Sequence, residues 1–176
     1  MSPRDLARAS AVGTAIERLR ASAPALRLGE ALLAGLGGAL TIFALGWAGL
    51  QAGTLLLIAP FGASCVLAFA IPQSPLAQPR NVVGGHLIST MAGLIVLGLF
   101  GVTPLGLALG VGLAIASMVL TGTLHPPAGA DPIVVMLAAA SWSFLFVPVL
   151  LGAATIVLVA IAYHRLVTGK TYPTRP

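Results

Sequence analysis

The chain of 176 residues is 58% hydrophobic and only 7% charged, and its mean hydropathy is +1.04. Soluble globular domains are much more polar, so the chain is predicted to be an integral membrane protein. Its net charge of +5 comes from basic residues that flank the apolar region, without the interleaved aromatic residues of a nucleic-acid-binding surface. The expected environment is therefore a lipid bilayer, and a nucleic-acid partner is not expected.

Residues 1–29 form a polar N-terminal segment in which apolar side chains recur at steps of three or four. This spacing predicts an amphipathic helix on the cytoplasmic membrane surface, with its arginines near anionic headgroups. No apolar run follows the early positive charges before residue 31, so a cleaved signal peptide is not expected. The predicted organisation is this segment, a membrane domain at residues 30–166 and a C-terminal tail at residues 167–176.

The membrane domain is almost free of charge, since only Arg80 and Asp131 are charged between Glu30 and Arg165. A membrane-spanning helix needs about 20 apolar residues. The uncharged runs therefore predict an all-α protein with six hydrophobic helices, near residues 31–50, 55–71, 82–100, 104–121, 126–140 and 144–164. The second and fifth are short and interrupted by proline and glycine. The alternative is four full spans with two re-entrant half-helices.

An internal repeat links the two short helices. Residues 60–64 read Pro-Phe-Gly-Ala-Ser, and residues 127–131, which lie 67 positions later, read Pro-Ala-Gly-Ala-Asp. We therefore expect two repeats of three helices, inverted relative to each other, with the starts of the two short helices facing a shared centre. Paired short, Pro/Gly-interrupted segments at matching positions of two halves are typical of transporter binding sites.

Charge predicts the orientation of the chain. Both ends of the apolar region are basic, so both termini are expected in the cytoplasm, which requires an even number of spans. Six spans also place Arg80 on the cytoplasmic side. The expected location is the cell's inner (plasma) membrane, with several passes.

Several runs of residues together resemble the HPP family of integral membrane proteins. They are PFGAS at 60–64, SPLAQPRN at 74–81 followed by Gly84-Gly85-His86, HPPAGA at 125–130, and WSF at 142–144. The similarity covers about residues 30–166. It implies four spans and a role in transport. It also implies nitrite as a substrate, because plant and cyanobacterial members of the family are associated with nitrite transport.

The predicted substrate is a small inorganic anion. Arg80 and Asn81 follow a proline-rich loop and would attract the anion to the cytoplasmic mouth, although Arg80 is equally expected to be an interfacial anchor. Free backbone N–H groups at the starts of the two short helices would bind the anion between them. The candidate binding residues there are Gly62, Ala63, Ser64, His125, Gly129 and Ala130.

A proton relay through Asp131, His125 and His86 is the second candidate feature. A histidine titrates near neutral pH, so His125 could donate to substrate or carry a proton, or simply start a helix. Asp131 is expected to be stabilised by the dipole of the fifth helix, and it becomes a proton-coupling group only if it pairs with Arg80 or His125. A single acid in the apolar region slightly favours a facilitative route over a coupled carrier.

Other functions are less well supported by the sequence. Three scattered histidines without an HExxH or GxSxG pattern do not predict an enzyme, a metal site or a cofactor. A structural or accessory membrane subunit is the alternative to a transporter. The glycines at 84, 85, 93, 106 and 110 make smooth helix faces, which are expected to pack within one protomer or, less readily, to form a homo-oligomer.

Overall fold

A computed structural model describes residues 28–174, and these residues are helical with no strand among them. The predicted amphipathic N-terminal helix lies outside the described residues. The regular helices are α1 (Leu28–Ala52), α2 (Ala59–Ala70), α3 (Pro79–Phe100), α4 (Pro104–Thr121), α5 (Asp131–Leu137) and α6 (Trp142–Thr168). A 3₁₀ turn at Pro126–Ala130 leads directly into α5, and a second one at Pro75–Ala77 lies in the loop before α3.

Four of these helices, α1, α3, α4 and α6, are long and apolar enough to cross a membrane, as judged over residues 28–174. Their ends follow from local sequence. Pro79 and Pro104 begin α3 and α4, where a missing N–H costs nothing. Gly101 and Gly122 end the same two helices in positive-φ conformations that favour glycine.

The first broken segment, residues 54–70, consists of extended residues followed by the short helix α2. It runs antiparallel to α1, because Gly49 packs on Leu56 near one end of the segment and Gly37 packs on the ring of Phe69 near the other. Tyr163 on α6 packs edge-to-face on the same Phe69 ring and donates to the carbonyl of Leu33 on α1. The segment therefore returns the chain along most of the length of α1.

The second broken segment, residues 123–137, has the same construction, with extended residues followed by the 3₁₀ turn and α5. It runs alongside α3, since Gly84 packs on Thr123 and Gly93 packs on Pro132. A Cβ at Gly93 would lie 2.7 Å from the Pro132 backbone, so only glycine allows this approach. The glycine stripe of α3 is thus filled by the chain's own second broken segment.

Each broken segment advances along a neighbouring long helix, as the contacts of Gly37 and Gly49 with the first segment and of Gly84 and Gly93 with the second show. The predicted short second and fifth helices are present, and four helices, α1, α3, α4 and α6, have the length and apolarity of membrane spans. The number of segments that cross the bilayer stays a prediction. The loop at residues 71–78, the turn at Gly122 and the C-terminal tail lie at one end of the bundle, as hydrogen bonds between them show.

The two halves have equivalent parts at the predicted spacing. The short helical stretches begin at Ala59 and Pro126, which are 67 residues apart. Gly85 on α3 and Gly152 on α6 are also 67 residues apart, and each receives a side chain from the broken segment of the other half, His125 and Phe61 respectively. The two-fold axis that would relate the halves stays a prediction.

Candidate functional site

Four buried polar side chains meet where the starts of the two short helices come together. The hydroxyl of Ser64 lies 2.8 Å from Nε2 of His86 and 2.9 Å from Nε2 of His125. Nδ1 of His86 lies 2.7 Å from Oδ2 of Asp131, and Nδ1 of His125 lies 2.8 Å from the carbonyl oxygen of Leu76. We call Ser64, His86, His125 and Asp131 the buried tetrad, because each is at most 1% exposed.

Local sequence explains how each member of the tetrad is positioned. Ser64 lies one turn into α2 and Asp131 begins α5, so both project from the short helices at repeat-equivalent positions. His86 projects from α3 between them. His125 is held in extended conformation because the residue before a proline avoids the helical region. The glycine beside His86, Gly85, has no side chain, which lets His125 approach α3 closely.

The hydrogen bonds of the tetrad constrain its protons. The carbonyl of Leu76 can only accept, so Nδ1 of His125 carries a proton and Nε2 of the neutral ring is an acceptor. Ser64 has one hydroxyl proton, and it faces two imidazole nitrogens and, at 3.2 Å, the carbonyl of Pro60. The arrangement therefore forms a continuous chain of donors and acceptors from Leu76 to Asp131.

Asp131 is paired with His86, which the sequence did not indicate as its partner. Nδ1 of His86 and the hydroxyl of Thr90, at 3.4 Å, both face Oδ2 of Asp131, whereas the sequence suggested only Arg80 or His125 as possible partners. Its other oxygen, Oδ1, is buried and has no hydrogen-bond partner among the described residues. A buried polar oxygen without a partner is costly, and the cost is much larger for a charged carboxylate than for a protonated acid.

Arg80 and Asn81 lie at the end of the bundle and outside the tetrad. Nη2 of Arg80 donates to the carbonyl of Thr121 at 2.8 Å, and Asn81 donates to the carbonyl of Leu124 at 2.8 Å. Both side chains therefore hold the start of the second broken segment. They also line a cavity of about 550 Å³ together with Gln78 and the C-terminal tail.

The predicted backbone binding residues lie on an open face of the two short helices. Gly62, Ala63 and Ala130 are exposed, Gly129 is half-buried, and a Cβ added at Gly62 or Gly129 would meet no atom within 4 Å. Some N–H groups of this region are used internally, since Ala128 donates to the carbonyl of His125. Beside them lies a groove of about 430 Å³, lined by Ala63, Val66, Leu67, Pro126 and Pro127.

Their positions at the C-terminal end of the last apolar run predict that Tyr163, His164 and Tyr172 lie at the membrane interface, but the structure buries all three. His164 is 0% exposed and its Nε2 donates to the carbonyl of Ala68. Tyr163 and Tyr172 are 6% and 7% exposed, so they do not belong to an aromatic belt. Tyr172 donates to the carbonyl of Ala77 and ties the C-terminal tail to the loop before α3, and burial raises its pKa to about 12.

The sequence did not predict that Ser64 joins the histidines. Its position predicted an anion-binding role, and the predicted proton relay contained only Asp131, His125 and His86. The repeat contained the missing signal, because Ser64 and Asp131 are equivalent residues and the starts of the short helices were expected to face one centre. A single side chain between them, His86, contacts both.

Comparisons with known proteins identify a family for this chain and two similar proteins. A family model described as the transmembrane region of HPP proteins matches residues 23–173. Two Dictyostelium discoideum proteins, each named as a transmembrane protein, are 40% identical over 128 residues and 38% identical over 132 residues. These alignments cover 68% and 70% of this chain but only 41% and 46% of the relatives, so the chain spans less than half of their length. No solved structure matches the chain.

Proposed function

Because this chain belongs to the HPP family of multi-pass membrane proteins, we propose that it transports a small inorganic anion, with nitrite as the first substrate to test. The observation that carries the proposal is the buried tetrad, which places ionisable side chains at the meeting point of two broken segments. Ionisable groups inside a membrane bundle are costly and typically mark ion or proton pathways. Broken segments of this kind typically form the binding sites of transporters.

The anion path in this proposal begins at the cavity beside Arg80 and Asn81. It continues along the groove lined by Ala63 and Pro127 and through the open space beside Gly62 and Gly129. The proposal places the Arg80 end in the cytoplasm of a cell's inner membrane, because the basic flanks of the apolar region favour that side.

Uptake by proteoliposomes tests the proposal. The purified full chain should accumulate nitrite faster than protein-free liposomes, which set the baseline because neutral nitrous acid crosses bilayers unaided. Gly129→Leu should reduce uptake strongly, since the new side chain would fill the open space beside the short helix. Gly112→Leu is the matched control, because Gly112 also has open space around it but lies on α4, outside the groove. Equal uptake by wild type and Gly129→Leu would remove this path.

An enzymatic role is a second candidate, because Ser64, His86 and Asp131 are hydrogen-bonded in the order of a hydrolase triad. A nucleophile must reach the carbon that it attacks. The Ser64 hydroxyl is 0% exposed and lies between two imidazoles and the Pro60 carbonyl, which leaves no free side for a substrate. We therefore favour transport. Labelling of Ser64 by a fluorophosphonate would support the enzyme instead.

A structural or accessory subunit is the remaining alternative. It would give no nitrite uptake from the isolated chain above the liposome baseline. The glycine faces of α3 and α4 pack against Thr123, Pro132 and Met136 of the same chain, so they do not by themselves favour an assembly role.

A further inference from the structure

The number of protons in the tetrad follows from its hydrogen bonds. Consider Asp131 ionised and both histidines neutral. Nδ1 of His86 then donates to Asp131, so Nε2 of His86 has a lone pair that points at Ser64 from 2.8 Å. Nε2 of His125 points a second lone pair at the same oxygen from 2.9 Å. The single hydroxyl proton of Ser64 can donate to only one of them, and the other contact places two lone pairs together.

One additional proton satisfies every contact. The proton shared by Asp131 and His86 lies in the bond between Oδ2 and Nδ1, and Nε2 of His86 donates to Ser64. Ser64 then donates to Nε2 of His125, and Nδ1 of His125 donates to the carbonyl of Leu76. Whichever atom of the Asp131–His86 pair holds the proton, the tetrad has no net charge in this state. Neutrality also suits burial of Asp131, whose Oδ1 has no partner among the described residues.

The charge of the tetrad also affects how an anion crosses the bundle. Between residues 31 and 164 the only basic side chain besides histidine is Arg80, and it is bonded at the end of the bundle. The groove beside the short helices has apolar side chains. An anion moving alone would meet an apolar groove and, next to it, the carboxylate of an unprotonated tetrad. A proton held by the tetrad removes the negative charge beside the groove, and a proton that crosses together with the anion makes the transfer electroneutral.

We propose that the buried tetrad holds one transferable proton and that the protein moves each anion together with one proton. The inference rests on the proposed transport function and names its coupling ion. The proton is taken from water on one side and released to water on the other, so each cycle transfers no net charge for a monovalent anion. Ser64 is the link, because its hydroxyl hydrogen-bonds both to His86, the partner of Asp131, and to His125, the partner of the Leu76 carbonyl.

The surroundings contain few other groups that titrate. From α3, His86 and the neutral hydroxyls of Ser89 and Thr90 lie around Asp131 and its turn. The second broken segment contributes His125 and α2 contributes Ser64. Helix α4, which packs against α5, contains no acidic, basic or histidine side chain. The proton inventory of this region therefore reduces to Asp131, His86 and His125.

The test uses proteoliposomes containing the full chain, with nitrite at equal concentration on both sides and a pH gradient that is acidic outside. Nitrite should accumulate, and a trapped pH dye should report one proton entering per anion above the protein-free baseline. A potassium–valinomycin potential of either sign should leave the rate unchanged. Nitrate serves as a second probe, because its acid form is too scarce to leak.

Two variants connect the coupling to the tetrad. Ser64→Ala breaks the link and should abolish accumulation driven by the pH gradient. Thr41→Val is its matched control, since Thr41 is a fully buried hydroxyl that donates to the carbonyl four residues earlier, as Ser64 also does, but it belongs to α1. Asp131→Asn keeps a donor for His86 and cannot release a proton, so it should fold normally and also lose accumulation driven by the pH gradient.

The outcomes distinguish a failure of proton coupling from a failure of the proposed transport function. Accumulation in wild type and Thr41→Val, and its loss in Ser64→Ala or Asp131→Asn, would support a coupled proton. Nitrite uptake that follows the membrane potential without proton entry would overturn the inference and leave transport intact. Undiminished proton-driven uptake in folded Ser64→Ala and Asp131→Asn would also overturn it. Wild-type uptake no faster than protein-free liposomes would reject the transport function itself.

Discussion

The two broken segments have the same backbone plan and different chemistry. Each consists of extended residues followed by a short helix, and the helical stretches begin 67 residues apart. At equivalent positions the first provides Ser64 and the second provides Asp131, which bind opposite nitrogens of His86. The difference shows that one half supplies a neutral hydroxyl that can both donate and accept a hydrogen bond, while the other supplies the carboxylate of the buried tetrad.

A second difference concerns how the segments are held. The start of the second broken segment is bonded by Arg80 and Asn81, whose side chains donate to the carbonyls of Thr121 and Leu124. The positions 67 residues after Arg80 and Asn81 are Val147 and Pro148, which have no side-chain donor. The start of the second broken segment is therefore held by side-chain donors that the equivalent positions of the other half lack, although the two segments share one backbone plan.

The largest expected effect is the loss of stability when the carboxylate of Asp131 is removed, because Asp131 is the charged member of the two equivalent positions. Asp131→Ala removes the partner of a fully buried histidine, and loss of one member of a buried pair typically costs about 3–5 kcal/mol. Ser64→Ala removes one neutral hydroxyl and should cost about 1–2 kcal/mol. Thermal unfolding in detergent measures both variants. Equal destabilisation by the two substitutions would contradict the assignment of distinct roles to the equivalent positions.

The next effect tests the close packing of each broken segment against a glycine of the other half. Gly85→Ala and Gly152→Ala should each destabilise by about 1–3 kcal/mol, since a new Cβ overpacks the contact with the opposite segment. Gly85 should be the more sensitive, because its Cβ would lie 2.9 Å from the backbone oxygen of Thr123, while Gly152 meets the ring of Phe61, which can turn.

Gly62→Ala and Gly129→Ala are the controls for these two variants, and unfolding in detergent is again the measurement. Both glycines have open space around them, and alanine favours helix over glycine by up to about 1 kcal/mol. These controls should therefore be as stable as the wild type or more so. A similar loss in all four variants would show that close packing does not distinguish the two pairs of glycines.

Hydropathy and proline placement were enough to predict six segments and to identify the two short ones, because both signals are local. The tetrad was not predictable to the same degree, since its hydrogen bonds join residues 22, 45 and 61 positions apart. The sequence predicted a relay through Asp131, His125 and His86, but it did not predict that Ser64 hydrogen-bonds to both histidines. His164 was placed at the interface because it ends an apolar run, yet packing against Phe69 and Tyr172 buries it.

The smallest expected effect is a change in KM when Arg80 is replaced, and it tests the role of Arg80 in the second difference. Its side chain is exposed, bonds to Thr121 through one nitrogen and lines the cavity at the end of the bundle. Arg80→Gln removes the charge, while an amide can still donate to the carbonyl. We therefore expect a folded protein whose KM for nitrite is raised severalfold at low ionic strength, with kcat nearly unchanged.

Ionic strength separates attraction of the anion from a purely structural role of Arg80. Exposed charges are screened over about 8 Å at physiological salt, so the KM of the wild type should rise with salt and that of Arg80→Gln should change less. Arg165→Gln is the matched control, because Arg165 is also exposed but lies on α6, outside the cavity. Initial uptake rates at two salt concentrations supply the comparison. If Arg80→Gln keeps the salt dependence of the wild type, Arg80 only holds the start of the second broken segment, and the anion reaches the groove without its charge.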